Sequence, residues 1–144
     1  MIKSLFLAVA FVLTASFSAL KAEEAPVPTS DQTAIRSVIE AQLEAFQRDD
    51  GLTAFSYASP TIKQIFGTPE RFMSMVRSGY PAVYRPQATE FRKLHQEGPT
   101  LVQEIRFVGP DGQAVIALYS LVKQPDGNWL IDGVVIIPAP EQAV

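Results

Sequence analysis

Apolar residues recur at helical spacing near the start of the chain. Between residues 35 and 46 they recur three and four positions after one another, with Val38 and Ile39 adjacent, and Thr29, Ser30 and Asp31 before them are residue types that cap helix N-termini. The pattern predicts a first helix that begins at these caps and stops before Gly51. Its core-facing side consists of Ile35, Val38, Ile39, Leu43 and Phe46.

Two further helices are predicted before the pattern changes. Residues 52–59 form a short helical segment, and residues 62–66 add one more apolar turn. Thr68 then caps a third helix, which Gly79 ends.

The second half of the chain has the period of β-strands. Alternation predicts strands in EFRKLHQ, LVQEIRFV, QAVIALYSLV and NWLIDGVVII. The sequences GPDG at 109–112 and PDGN at 125–128 predict hairpin turns, because Pro presets φ and Gly accepts positive φ. Helices followed by strands indicate an α+β fold, with three helices packed on a curved antiparallel meander of about four strands.

The first 22 residues resemble a secretory signal peptide. Lys3 precedes the apolar run LFLAVAFVL at 5–13, and small residues continue to Ala22. The run is about half as long as the ~20 residues that a transmembrane helix needs. We expect cleavage after Ala22, with Ala19 as the second choice and an uncleaved anchor as the alternative. The mature protein is then periplasmic or secreted.

Cleavage gives a simple domain organisation. The signal peptide occupies residues 1–22, and the proline-bearing segment 23–30 reads as a flexible linker. A single α+β domain spans 31–138, and residues 139–144 form a C-terminal tail. No later segment has the length and apolarity of a membrane span.

Composition excludes several classes of function. The net charge is −3, and loss of Lys3 and Lys21 with the signal peptide makes it more negative. A mildly acidic chain without basic runs is not typical of proteins that bind nucleic acid or anionic lipid. The chain has no cysteine and one histidine, His95, which excludes thiol chemistry and multi-histidine metal sites. Without a phosphate-binding loop or a Gly-x-Ser-x-Gly elbow, we expect no cofactor and no metal.

Three stretches carry a resemblance to a known family. IRSVIEAQLEAFQRDDG, RFMSMVRSGYPAVYRP and FVGPDGQAVIALYSLVKQPDGNWLIDG resemble an uncharacterised family of exported bacterial proteins, the domain of unknown function number 4864. The order of elements is also similar to the superfamily of nuclear transport factor 2 and ketosteroid isomerase. The resemblance implies a bent sheet wrapped around a long helix, often with a cavity, and an exported location. It implies no reaction.

Asp132 is the candidate for catalysis. Strict alternation along WLIDGVVII places it beside Leu130 and Val134 on an apolar strand face. A carboxylate in such a place needs hydrogen-bond donors, and proton-abstracting isomerases use carboxylates of this kind as general bases. The alternative is that the strand bends at Gly133 and Asp132 reaches solvent or backbone amides.

The segment SGYPAVYRP at 78–86 and one residue of the first helix are the candidates for ligand binding. Pro81 and Pro86 predict a stiff extended connector, with Tyr80 and Tyr84 turned to one side and Arg85 to the other. Tyrosine rings with polar tips suit the mouth of a pocket, although tyrosines also close cores. Gln42 lies inside the apolar stripe of the first helix, where it can face a cavity or bond the sheet.

These observations lead to one interpretation and two alternatives. The leading interpretation is an exported soluble domain that binds a small apolar ligand or a protein partner without catalysis. One alternative is an enzyme of the isomerase or dehydratase type that uses Asp132 as its base. The other is a homodimer that associates through an exposed sheet face.

Overall fold

The computed structural model describes residues 25–140. The predicted signal peptide and most of the predicted C-terminal tail lie outside this range. None of the helices among the described residues has the length and apolarity that a membrane crossing requires.

Five helices precede a four-stranded sheet. The helices are α1 (Thr29–Gln47), α2 (Gly51–Ser56), α3 (Pro60–Phe66), α4 (Pro69–Gly79) and α5 (Pro81–Tyr84). The strands are β1 (Ala88–Glu97), β2 (Thr100–Val108), β3 (Ala114–Lys123) and β4 (Trp129–Pro138). They pair antiparallel in chain order, as expected for a meander. The predicted α+β fold class is confirmed.

Side-chain caps divide the helical half into short pieces. Asp50, Ser59 and Thr68 each accept a hydrogen bond from a backbone N–H at the start of α2, α3 and α4, respectively. Such caps satisfy N–H groups that have no partner inside the helix. Gly51 opens α2 rather than only ending α1, and a Cβ there would lie 2.7 Å from Cγ of Met73. The close approach of α4 therefore favours glycine at this position, since any larger residue would displace the side chain of Met73.

The segment after α4 is helical, contrary to the extended connector predicted for residues 80–86. Pro81 ends α4 at Gly79, as predicted, but it also occupies the first position of the one-turn helix α5. Proline is well suited to that position because the first helical N–H has no partner. The prediction did not consider that Pro81, besides ending α4, begins the next helix.

The core lies between the helices and one face of the sheet. Four of the five predicted positions of α1 are buried, Val38 is partly buried, and Gln42 is buried with them. From the sheet, alternating residues point to the same core; the buried ones include Leu101, Ile105, Phe107, Ala117, Tyr119, Leu121, Trp129 and Ile131.

Strand β4 carries a bulge at Asp132. Ile131 pairs with Leu121 and Gly133 pairs with Ser120, so Asp132 is an extra residue without an opposite partner. The predicted uniform alternation is wrong beyond this point. Val134 then joins the core side with Ile131, whereas Val135 and Ile137 on the outer side are 58% and 40% exposed.

The bulge is attached to the junction of α2 and α3. The N–H of Ile131 donates to the carbonyl of Tyr57, and the N–H of Ser59 donates to the carbonyl of Ile131, each at 2.8 Å. The hydroxyl of Ser59 donates to Oδ1 of Asp132 at 2.7 Å and accepts from the N–H of Ile62. One fully buried serine therefore caps α3 and holds the carboxylate of the bulge.

The edge strand β1 has a bulge of its own. Its pairing with β2 shifts register between Phe91 and Leu94. The side-chain amide of Gln103, buried on β2, donates to the carbonyls of Arg92 and Lys93 at 3.3 Å each. These bonds hold the shifted backbone in place.

We predict that Ser59→Ala lowers the free energy of unfolding by about 2–4 kcal/mol, more than loss of a cap alone, since it removes a cap and also leaves Asp132 without its donor. Thr68→Ala is the matched control, because it removes a cap at an exposed residue and should cost only about 1 kcal/mol. Urea melts at neutral pH measure both. Equal losses in the two variants would contradict a role for the bond to Asp132.

Candidate ligand cavity

A cavity of about 340 Å³ lies between the helices and the sheet. Every helix except α2 contributes to its wall, together with β3 and β4. The apolar lining consists of Phe46, Ala58, Ile62, Ile65, Phe66, Phe72, Met75, Val76, Val83, Ile131, Gly133 and Val134. The polar lining consists of Gln42, Tyr80 and Tyr119.

An aromatic group centred on Phe72 forms one side of the cavity. Its ring centroid lies 6.1 Å from that of Phe46, 5.3 Å from Phe55 and 5.8 Å from Phe66. Tilted and edge-on pairs at these distances are favourable for aromatic rings. They join α1, α2, α3 and α4, so this wall is defined by packing between four helices.

Tyr119 closes the cavity on the sheet side. The residue is fully buried on β3, and among residues 25–140 its hydroxyl has no hydrogen-bond partner. Burial raises the pKa of Tyr119 far above the usual range, because the phenolate would be desolvated. The side chain is therefore a neutral phenol at physiological pH, with a donor and acceptor that it does not use.

The other two polar residues of the wall already have partners. The hydroxyl of Tyr80 donates to the carbonyl of Val134 at 3.1 Å, which ties the junction of α4 and α5 to β4. The amide nitrogen of Gln42 donates to the carbonyl of Ala54 at 3.1 Å, which ties α1 to α2. Both predicted residues thus line the cavity, and both also stabilise its walls.

Tyr84 and Arg85 contribute to a different cluster at the end of α1. The hydroxyl of Tyr84 donates to Asp49, and a guanidinium nitrogen of Arg85 lies 3.2 Å from the same carboxylate. Arg85 also donates to the carbonyl of Phe46 at 2.6 Å and lies over the ring of Tyr84 at 4.1 Å. The turn of α5 takes these two residues away from the cavity that Tyr80 lines.

The charge of Asp49 is stabilised in this cluster. The hydrogen bond from Tyr84 is the main cause that lowers the pKa of Asp49 below its ordinary value of 3.8, and Arg85 and Arg77 lower it further. Asp49 also has a positive φ of 53°, which turns the chain from α1 toward α2. The cluster explains Tyr84 and Arg85 as supports of the helical layer.

Asp132 and His95 are not among the residues that line the cavity. Asp132 accepts the hydroxyl of Ser59 and is not among the lining residues. His95 lies on the edge strand β1, with Nε2 at 3.0 Å from the carboxylate of Glu97. Within residues 25–140 no group of three acidic or histidine side chains is arranged to hold a metal ion.

Sequence reasoning missed Tyr119, which the structure places in the wall of the cavity. Its position in QAVIALYSLV indicates only that it is one residue on the apolar face of a strand. A tyrosine among Val, Ile, Ala and Leu was the available signal, because a buried hydroxyl normally needs a partner.

We predict that Asp49→Asn destabilises the protein at neutral pH and that the difference from wild type shrinks as the pH falls. A lowered pKa in the folded state adds stability above the unfolded value near 3.8, and this contribution disappears as the folded carboxylate is protonated. Urea melts from pH 7 to pH 3 measure the difference. The exposed Glu44→Gln on α1 is the control for loss of one charge. A difference independent of pH would contradict the prediction.

We predict that Tyr119→Phe stabilises the ligand-free protein by about 1–3 kcal/mol, because it removes a buried hydroxyl that has no partner. Thermal and urea unfolding of the two proteins, each freed of ligand by refolding, measure the change. Tyr80→Phe serves as the matched control and should destabilise, since that hydroxyl donates to Val134. Destabilisation by Tyr119→Phe would mean that the hydroxyl is paired.

Comparisons with known proteins identify a family and a structural neighbour. The model of the family described as "Domain of unknown function (DUF4864)" matches residues 28–144. An NTF-2-like protein of unknown function from Burkholderia xenovorans LB400 aligns with a TM-score of 0.49 and 15% sequence identity, over 78% of this chain and 89% of its own. No curated protein matches the chain. Since the family model covers more than half of the sequence, the protein belongs to the DUF4864 family.

Proposed function

We propose that this domain binds a small, mainly apolar molecule in the cavity between the helices and the sheet, without catalysing a reaction. The observation that carries the proposal is the combination of an apolar cavity of about 340 Å³ with a fully buried tyrosine hydroxyl in its wall. Ligand sites in proteins typically are apolar cavities of 300–1,000 Å³ with a few polar groups. The volume lies at the small end of that range.

The cavity wall presents apolar side chains such as those of Phe66 and Val76, which suit a ligand with apolar surface. Such a ligand would make dispersion contacts with these side chains and remove its own apolar surface from water. Burial of apolar surface contributes about 25 cal/mol per Å² to binding, and the cost of immobilising the ligand offsets part of this contribution.

The lining also favours binding over catalysis. None of the fifteen described lining residues is an acid, a histidine, a lysine or an arginine. Proton transfer to a bound molecule would need a base within hydrogen-bond reach. Asp132, the candidate base, has its carboxylate bonded to Ser59 and lies outside the lining.

Native mass spectrometry and a fluorescent probe test the proposal together. We expect protein purified from the periplasm to carry a bound small molecule, and ligand-free protein to bind the apolar dye N-phenyl-1-naphthylamine with increased fluorescence. The same spectrum tests the proposed export, because a mature chain starting at Glu23 has a defined mass.

Two substitutions of the same kind provide the structural control. Val76→Phe adds a ring at a buried position of the cavity wall and should reduce dye affinity at least tenfold. Val135→Phe makes the same change on the outer face of β4, where the residue is 58% exposed, and should leave the affinity unchanged. Equal loss in both variants, or no dye binding by the wild type, would refute the proposal.

A further inference from the structure

We infer that the ligand presents an uncharged hydrogen-bond acceptor, such as a ketone or ester carbonyl, to the hydroxyl of Tyr119, and directs its apolar part toward α3. This inference rests on the proposed function and specifies the chemical class of the ligand.

The hydroxyl of Tyr119 requires a partner that the described residues do not supply. A buried hydroxyl without a hydrogen bond costs about 1–3 kcal/mol. The residue directly opposite on β2, Gln103, has its amide nitrogen bonded to the carbonyls of Arg92, Lys93 and Glu104. The residue opposite on β4, Val134, has its carbonyl bonded to Tyr80. The amide nitrogen of Gln103 and the carbonyl of Val134 are thus already used, and Tyr119 itself lines the cavity, where a ligand could supply the partner.

Charge determines which acceptor suits this hydroxyl. With no cationic side chain in the lining, a carboxylate would enter an apolar cavity without a counter-charge. Burial of an unpaired ion costs far more than one hydrogen bond returns. A phenol held neutral by burial can donate to a carbonyl oxygen at no such cost. A neutral acceptor is therefore favoured over an acid.

The two ends of the cavity differ, which orients the ligand. Tyr119 is fully buried on β3, whereas Ile65 of α3 lines the same cavity and is 65% exposed. The polar group of the ligand thus lies at the inner end and its apolar part at the opening. Exposed apolar surface such as that of Ile65 is covered when the apolar part is in place.

Three naphthalenes of similar shape test the inference with wild type and Tyr119→Phe. 2-Acetylnaphthalene carries a carbonyl, 2-ethylnaphthalene carries no acceptor, and 2-naphthoate carries a charge. We expect Tyr119→Phe to weaken binding of the ketone roughly 3- to 10-fold, in proportion to one neutral hydrogen bond, and to change the hydrocarbon less than 2-fold. Naphthoate should bind the wild type at least 10-fold more weakly than the ketone.

Infrared spectroscopy distinguishes a hydrogen bond to the ligand from a change in packing alone. A hydrogen bond to the ketone lowers its carbonyl stretching frequency, so the band in the wild-type complex should lie below that in Tyr119→Phe. The wild-type band can also be compared with the free ketone in hexane, which keeps the test valid if the variant fails to fold.

The outcomes separate the two proposals. Failure of the ketone and the hydrocarbon to bind the wild type would overturn the proposed function and this inference with it. Binding of both, with a carbonyl band like that in hexane and no selective loss in Tyr119→Phe, would overturn only the assignment of the acceptor. Tighter binding of naphthoate than of the ketone would overturn the assignment of an uncharged acceptor to the ligand.

Discussion

The attachment of the α2–α3 junction to β4 is the constraint on which the other features depend. The N–H of Ile131 donates to the carbonyl of Tyr57, and the carbonyl of Ile131 accepts from the N–H of Ser59. The hydroxyl of Ser59 also holds Asp132 in its bulge. The bulge shifts the alternation of β4, so that Val134 turns inward and completes the cavity wall beside Tyr119. Without the extra residue, Val135 would occupy that side instead.

Much of the fold could be predicted from residue patterns. Helical spacing identified the buried side of α1, and the two Pro-Asp-Gly turns placed the last two hairpins between their strands. These signals are local, since they depend on backbone preferences and on a period of 3.6 or 2 residues. A bend at Gly133 was considered as the alternative to strict alternation, but the bond that holds Asp132 in the bulge was not predicted, because its donor, Ser59, lies 73 positions away in the chain.

The candidate site was less predictable than the fold for the same reason. Of the proposed ligand residues, Gln42 and Tyr80 line the cavity, whereas Tyr84 and Arg85 join Asp49. Tyr80 and Tyr84 are separated by a single turn of helix. Whether the two side chains lie on the same side therefore depends on whether Pro81 begins a helix or continues an extended chain. Tyr119 became a candidate only when its neighbours on β2 and β4 were known to be bonded elsewhere.

The bulge in β1 has a consequence for solubility. An edge strand exposes carbonyls and N–H groups to which a strand of another molecule can add, and this is a common start of aggregation. In β1 the carbonyls of Arg92 and Lys93 already accept from Gln103, and the register shift interrupts the regular edge. The charged side chains of the same two residues are exposed. The bulge, which Gln103 holds in place, and the two exposed charges are features that disfavour the addition of another strand at this edge.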